Sequence, residues 1–223
     1  MDLTNADLGA MARDVLARRG INPADLPPEP AFSLADHLTE QANATLDLIL
    51  PPRYRQASAD NPAVLAWMRS YVEDPTAVPV LVMRGPVGTG KTHQALGALR
   101  QIVLASARRC RRMTYAVTSH PTFNDAMFPH KDDRHRQALR DFQTVDLLVF
   151  DDIGAGRSTD WTEDTLYRLF DARWANQLAT IVTTNFDGQE MRDNVDERVV
   201  SRLAAGVQVP LVGSDRRRGE VTR

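Results

Sequence analysis

Cysteine is almost missing from these 223 residues: Cys110 stands alone. It builds no disulfide framework and no cysteine-based zinc site, and it fits a reducing compartment. Long apolar runs are missing too; none approaches the roughly 18–20 residues that span a bilayer. The opening residues Met1-Asp2-Leu3-Thr4-Asn5 have neither a basic start nor an apolar stretch, so no secretory signal is expected and the expected place is the cytoplasm. There is no excess of positive charge: the net charge of -2 gives no global reason to expect nucleic acid, although a local basic face is compatible with it. Lysine is scarce, with only Lys91 and Lys131 among 27 basic residues.

What is present is ordinary for a globular chain, with 43% hydrophobic and 25% charged residues, and the length suits one full-sized domain plus a small appendage. Charge is uneven along it. Residues 1–60 carry 5 Arg against 9 acidic side chains, leaving 22 basic and 20 acidic for the remainder. Residues 4–19 place Leu8, Met11, Val15 and Leu16 at helical spacing, and Gly20 stops the pattern. Pro23, Pro27, Pro28 and Pro30 then mark a linker. Ser33 can cap a second helix carrying Leu34, Leu38 and Leu46, which Pro51-Pro52 ends; Asn61-Pro62 opens a third over about 62–73. The expected division is a helical N-terminal extension, 1–45, and a main domain, 46–223.

From residue 78 strands and helices alternate. Apolar strands are expected at 78–84, 113–118, 146–150, 179–184 and 207–212, with helices over 91–109, 161–177 and 189–204. That order predicts an α/β fold: a five-stranded parallel sheet covered by helices on both faces, with ligands at the carboxyl ends of the strands.

The chemistry concentrates at those ends. Gly85-Pro86-Val87-Gly88-Thr89-Gly90-Lys91-Thr92 matches the G-x-x-x-x-G-K-[ST] phosphate-binding loop. Glycines let successive N–H groups turn toward phosphate oxygens, aided by the following helix N-terminus. Lys91 would neutralise the β- and γ-phosphates of ATP and Thr92 would hold Mg²⁺. In a chain so rich in arginine, a lysine stands where phosphate binding prefers one. Leu147-Leu148-Val149-Phe150-Asp151-Asp152 is an apolar strand delivering two carboxylates. Asp151 would hold Mg²⁺ through water; Asp152 either orients the attacking water as a base or caps the next turn. Thr183-Thr184-Asn185 ends the fourth strand, where Asn185 either senses the γ-phosphate or serves turn chemistry. Arg198 and Arg202 lie four apart on one helical face, either paired with Asp196 and Glu197 or reaching the ATP of a neighbouring subunit.

Together these segments resemble the AAA+ ATPases of the helicase-loader group, the DnaC-like and IstB-like proteins, over about residues 50–218. The more specific parts are Asp151-Asp152-Ile153-Gly154 and the Arg198-x-x-Ser201-Arg202-Leu203 run; Ile181–Asn185 and the tail Gly213-Ser214-Asp215-Arg216-Arg217 carry the likeness further. The resemblance implies a P-loop AAA+ core that hydrolyses ATP with Mg²⁺, slowly and under stimulation by partner or DNA, in an ATP-dependent homo-oligomer. It implies Asn185 as sensor 1 and Arg202 as the arginine finger, with Arg198 beside it. Only 11 residues follow Val212, so the helical lid of many AAA+ proteins is expected to be absent. Arg216, or Arg217 next to it, would then replace the lid's phosphate-sensing arginine. Asp152 stands where glutamate is common in AAA+ proteins, and its shorter arm fits slow turnover.

The same likeness implies delivery of a replicative helicase to single-stranded DNA in replication initiation, with 1–45 as the partner-binding end. The alternatives are an IstB-like transposition helper acting with a transposase, and a nucleotide-gated DNA-binding adaptor. For DNA the candidates are His120, Phe123, Phe128, His130, Lys131, Arg134, His135, Arg136 and Arg140, within 119–145, and the loop 156–161. Against them stand core packing for the phenylalanines and a solvated helical face for the arginines. Nothing brings the three histidines together as a metal site. The run Arg108-Arg109-Cys110-Arg111-Arg112 falls at a helix C-terminus, where cations suit the dipole.

Overall fold

The computed structural model describes residues 33–77, 79–127, 134–155, 159–213 and 215, together with Val15, Arg18 and Arg19. It divides into two compact units, Met1–Ser33 and Leu34–Arg223. In the first, Val15 and Arg18 are helical; the rest of the expected first helix and the proline linker lie outside the described residues. The domain boundary expected at 45/46 falls inside the first helix of the second unit.

That unit begins with α1 (Leu34–Ile49), a 3-10 turn (Pro52–Tyr54) and α2 (Pro62–Glu73). Asn61 caps α2 as its sequence predicts: its side chain accepts from the Ala63 N–H at 2.9 Å, and Pro62 takes the first helical position. The α/β run follows as β1 (Val80–Arg84), α3 (Lys91–Arg108), β2 (Tyr115–Ser119), α4 (His120–Met127), α5 (Arg134–Thr144), β3 (Leu147–Ile153), α6 (Asp160–Ala175), β4 (Ala179–Thr184), α7 (Gly188–Asn194), α8 (Glu197–Ala204) and β5 (Val207–Pro210). The helix expected over 189–204 is therefore two. Val195 is extended, and Asp196 opens a new helix by accepting from the Arg198 N–H. The aspartate acts as a second N-cap within an unbroken amphipathic run.

All five strands are parallel, in the order β2-β3-β4-β1-β5. Side chains alternate between two cores, as the pleat requires. Leu81, Met83, Leu147, Val149 and Ile181 face α1, α2 and α3, while Val82, Leu148, Phe150 and Val182 face α4, α6 and α8. This is why the strands read as continuous apolar runs. β4 lies between β1 and β3, so the segments leaving those three strands emerge side by side at one edge.

The linker from α1 to α2 is fastened to α3. Gln94 Oε1 accepts from the N–H groups of Asp60 and Asn61 at 3.0 and 3.1 Å, and Gln101 Oε1 from that of Ala59 at 2.9 Å. Gly97 lets them approach: a Cβ there would lie 2.5 Å from Ala59 N and from Ser58 C. Among the described residues no helix is long and apolar enough to cross a membrane.

Candidate nucleotide-binding site

The segment 85–92 wraps from the end of β1 into the first turn of α3, and Gly85, Gly88 and Gly90 all have positive φ. Lys91 is only 7% exposed, and its Nζ donates to Gly85 O at 2.7 Å, Pro86 O at 2.8 Å and Asn185 Oδ1 at 2.8 Å. Thr92 Oγ1 donates to Asp151 Oδ1 and Oδ2 at 3.0 and 3.2 Å. Asn185 Nδ2 donates to Asp152 Oδ1 at 2.6 Å. One network thus runs from Lys91 through Asn185 to Asp152, beside the Thr92–Asp151 pair.

β3 reaches further than expected, to Ile153, and its register against β4 shifts between Phe150 and Ile153. Asp152 sits in that irregularity with φ 58°, in the left-handed region that a non-glycine residue seldom occupies. Thr183 holds the distortion: its Oγ1 donates to Asp151 Oδ1 at 2.6 Å and accepts from the Asp152 N–H at 2.8 Å. Strained backbone of this kind persists where neighbours over-determine it, and it aims the two consecutive carboxylates differently. Burial, reinforced by the Asp152 charge, pushes the Asp151 carboxyl above the usual carboxylate range; hydrogen bonds from Thr183 and Thr92 and the Lys91 charge offset this in part.

These groups line a cleft of about 570 Å³ together with Arg53, Tyr54 and His93. The sequence reading missed those three, and it left Thr183 without a role. Arg53 and Tyr54 come from the 3-10 turn behind Pro51-Pro52, a proline stop followed by a cation and a ring, which is the one signal that marks them. The cleft meets the needs of a nucleoside triphosphate: an anion-binding loop, a buried ammonium and an aromatic face. For Mg²⁺ it offers Thr92 and Asp151 in mutual contact, and among the described residues no cluster of three or more ligands suggests an all-protein metal cage. A cation held by one carboxylate, one hydroxyl and substrate phosphates is the ordinary arrangement for Mg²⁺.

The arginines lie elsewhere. Arg202 pairs with Asp171 of α6 at 2.8 Å, and Arg198 pairs with Asp196 at 2.8 Å and lies 4.0 Å over the Tyr167 ring. Neither lines the cleft. Arg216 and Arg217 lie outside the described residues, but Asp215 rests on the phosphate loop: a Cβ on Gly88 would be 2.0 Å from Asp215 Oδ1.

Of the DNA candidates, His120 and Phe123 are buried, at 2% and 0% exposed, which corrects the DNA role for His120 and selects the core-packing alternative for Phe123. His120 Nδ1 accepts from the Gly154 N–H at 2.9 Å, and Phe123 packs edge-on against Phe150. Arg136 and Arg140 are exposed on α5; Phe128, His130, Lys131 and residues 156–158 lie outside the described residues, as do the side chains of Arg134 and His135.

Comparison with known proteins decides the family. The bacterial DnaA ATPase-domain family matches residues 59–210. The chain belongs to that family. Its relatives also place it in the DnaC-like and IstB-like AAA+ group. It is 27% identical over 157 residues to the replicative helicase loader DnaC of Escherichia coli K12, covering 69% of this chain and 62% of that protein. It is 30% identical over 148 residues to a proposed ATP-binding protein in an insertion sequence of Mycobacterium tuberculosis, covering 65% and 54%. The crystal structure of a DnaC helicase loader superimposes with a TM-score of 0.60 at 22% identity, covering 73% of this chain and all of that one, which shows a shared fold. The chain spans about three fifths or less of the curated relatives it matches. Family membership makes this an ATPase domain, and ATP its nucleotide.

Proposed function

We infer that the protein is a cytoplasmic, ATP-dependent helicase loader that places a replicative helicase on single-stranded DNA. The observation that carries this reading is the division of the site. The cleft gathers Lys91, Thr92, Asp151, Asp152 and Asn185, whereas Arg198 and Arg202 stand on α8 outside it. A site built so is finished by another subunit, and the similarity to DnaC supplies the helicase.

When bound, ATP supplies the phosphoanhydride bond and Mg²⁺ neutralises charge on its phosphates. Lys91 would exchange its contacts with the loop carbonyls for phosphate oxygens, and Thr92 and Asp151 would hold the cation. Asp152 Oδ1 is engaged by Asn185, so Oδ2 takes the proton of the attacking water. Asn185 touches both Lys91 and Asp152 and so links phosphate occupancy to the base, the part of a sensor. Arg202, released from Asp171, is the finger that reaches the neighbour's ATP, with Arg198 next to it. Asp215 on Gly88 brings the tail to the loop, and Arg216, the next residue in the chain, is the candidate to replace the lid's phosphate-sensing arginine. The extension 1–45 is the helicase-binding end.

For DNA, Trp161 Nε1 donates to Met127 O at 3.0 Å, which ties the end of α4 to the start of α6. That joins the two stretches singled out for DNA, and Trp161 is 43% exposed. Exposed Arg136 and Arg140 would track phosphates while the indole stacks on a base. The test is co-purification with a hexameric replicative helicase in the presence of ATP, alongside ATPase rates with and without single-stranded DNA. Retention of helicase together with DNA-stimulated turnover is expected. The similarity to an insertion-sequence protein favours a second reading, a transposition helper. Capture of a transposase and no helicase would select it, and helicase binding without any hydrolysis would select a nucleotide-gated adaptor.

A further inference from the structure

At the opposite edge of the sheet, where the strands begin, lies a second cavity of about 270 Å³. Arg109, Arg111 and Arg112 line it from beyond α3, and Asn176 and Gln177 line it from beyond α6. The three arginines make no side-chain hydrogen bond or ion pair among the described residues, unlike Arg168, Arg198 and Arg202. The one carboxylate on the lining, Asp146, is engaged, accepting from the Thr114 N–H at 2.6 Å and its hydroxyl at 3.0 Å. A wall with three unpartnered guanidinium groups carries a surplus of donors and of positive charge.

Helix capping does not account for these arginines. The Cys110 N–H donates to Ala107 O at 2.9 Å and the Arg111 N–H to Ser106 O at 2.9 Å, so α3 closes its last carbonyls with its own backbone. At α6 the Gln177 N–H donates to Trp174 O at 3.1 Å and the Leu178 N–H to Arg173 O at 2.9 Å, the same closure. Each closure needs a left-handed residue where glycine is usual, yet here Cys110 has φ 55° and Gln177 φ 53°. The third described non-glycine residue with positive φ is Asp152, at the nucleotide site. Of the two strained residues Gln177 itself lines the cavity, and Cys110 stands between Arg109 and Arg111, which do.

We propose that this cavity is a second anion site, separate from the nucleotide cleft, which takes a phosphate group carried on a small organic molecule. Three forks available along one wall suit the several oxygens of a phosphate, whereas a carboxylate occupies one fork. The amides of Asn176 and Gln177 add neutral polar groups. Tyr71, with Val72 and Met113, supplies an apolar wall for the organic part. Burial, with the Asp146 charge, pushes the Tyr71 hydroxyl up to about 12, so it stays a donor at neutral pH.

The experiment records the arginine Nε–H and side-chain amide resonances of the full chain by NMR. A non-hydrolysable ATP analogue with Mg²⁺ fills the nucleotide cleft throughout. Phenyl phosphate, inorganic phosphate and benzoate are titrated separately at constant ionic strength. Phenyl phosphate is expected to shift the signals of Arg109, Arg111 and Arg112 saturably, ahead of inorganic phosphate, while Arg108 stays still. The double variant Arg111→Lys/Arg112→Lys keeps the charge but loses the forks, and should weaken binding by roughly tenfold or more. Absence of saturable shifts, equal binding of benzoate, or undiminished binding in the lysine variant at unchanged melting temperature would each overturn the proposal.

Discussion

Thr183 Oγ1 touches both members of the Asp151-Asp152 pair, accepting from one residue's N–H and donating to the other's carboxylate. Thr183→Val keeps the shape and removes both bonds. Turnover should fall on the order of 10–100-fold, with the affinity for an ATP analogue changed by no more than about threefold, and Thr183→Ser should restore it. A loss of nucleotide affinity matching the loss of turnover would sink that role. Asp151 is the metal candidate whose folded carboxyl titrates above its unfolded value. Its stabilising contribution is full below the unfolded value and is lost as pH rises through the folded one, so at neutral pH the ionised group costs stability. Asp151→Asn should therefore raise the melting temperature of the metal-free protein, and abolish the further rise expected with Mg²⁺-ATP. His120 shows the opposite shift, held below the usual imidazole value by burial. The unfolded chain takes up the proton first, so stability is full above the unfolded value and declines as pH falls below about 6.5. Urea midpoints measured from pH 8 to 5 should stay level and then drop, and His120→Asn should remove that part of the drop. The sequence marked Asp151, Asp152 and Asn185 through their places at strand ends. Thr183 stayed hidden because a threonine in a strand reads as strand propensity until its hydroxyl is seen between two carboxylate residues.

Among the elements, α3 does two jobs: its first turn ends the candidate phosphate loop, and its flank holds the linker that carries Arg53 and Tyr54. Gly97→Ala would press a methyl group into the backbone of Ser58 and Ala59. It should cost about 2–3 kcal/mol, visible as a melting temperature lower by roughly 4–10 °C, and it should weaken nucleotide binding because the linker shifts. An unchanged melting temperature would mean the linker can move away freely. Most elements were legible, since the apolar runs and the Asn61-Pro62 start are local signals. The break between α7 and α8 was not, because Asp187 and Asp196 each cap a helix within one amphipathic run and periodicity continues across it. The burial of His120 was equally illegible, and that of Phe123 was legible only as the core-packing alternative. Aromatic and basic residues alternate there in a way that suits a DNA groove, and only the packing of α4 on β3 shows which of them face inward.

For the molecule as a whole, the network in the cleft and the arginines of α8 belong to different surfaces. If Arg202 acts on a neighbour, mixtures of Lys91→Ala and Arg202→Ala subunits should recover some DNA-stimulated ATPase activity, because some interfaces pair an intact cleft with an intact finger. Rates that never exceed those of the separate variants would refute action between subunits. The sequence by itself determined the α/β class, the succession of five strands, and the motifs of the candidate phosphate loop and carboxylate pair. Each of these is written in local periodicity and in contiguous motifs. Only the tertiary structure decided the strand order that puts Asn185 between Lys91 and Asp152, the threonine that aims the carboxylates, and the linker residues that line the cleft. It alone also showed unpartnered arginines meeting at the far edge of the sheet. Those outcomes depend on contacts between segments far apart in the chain, which no local pattern encodes.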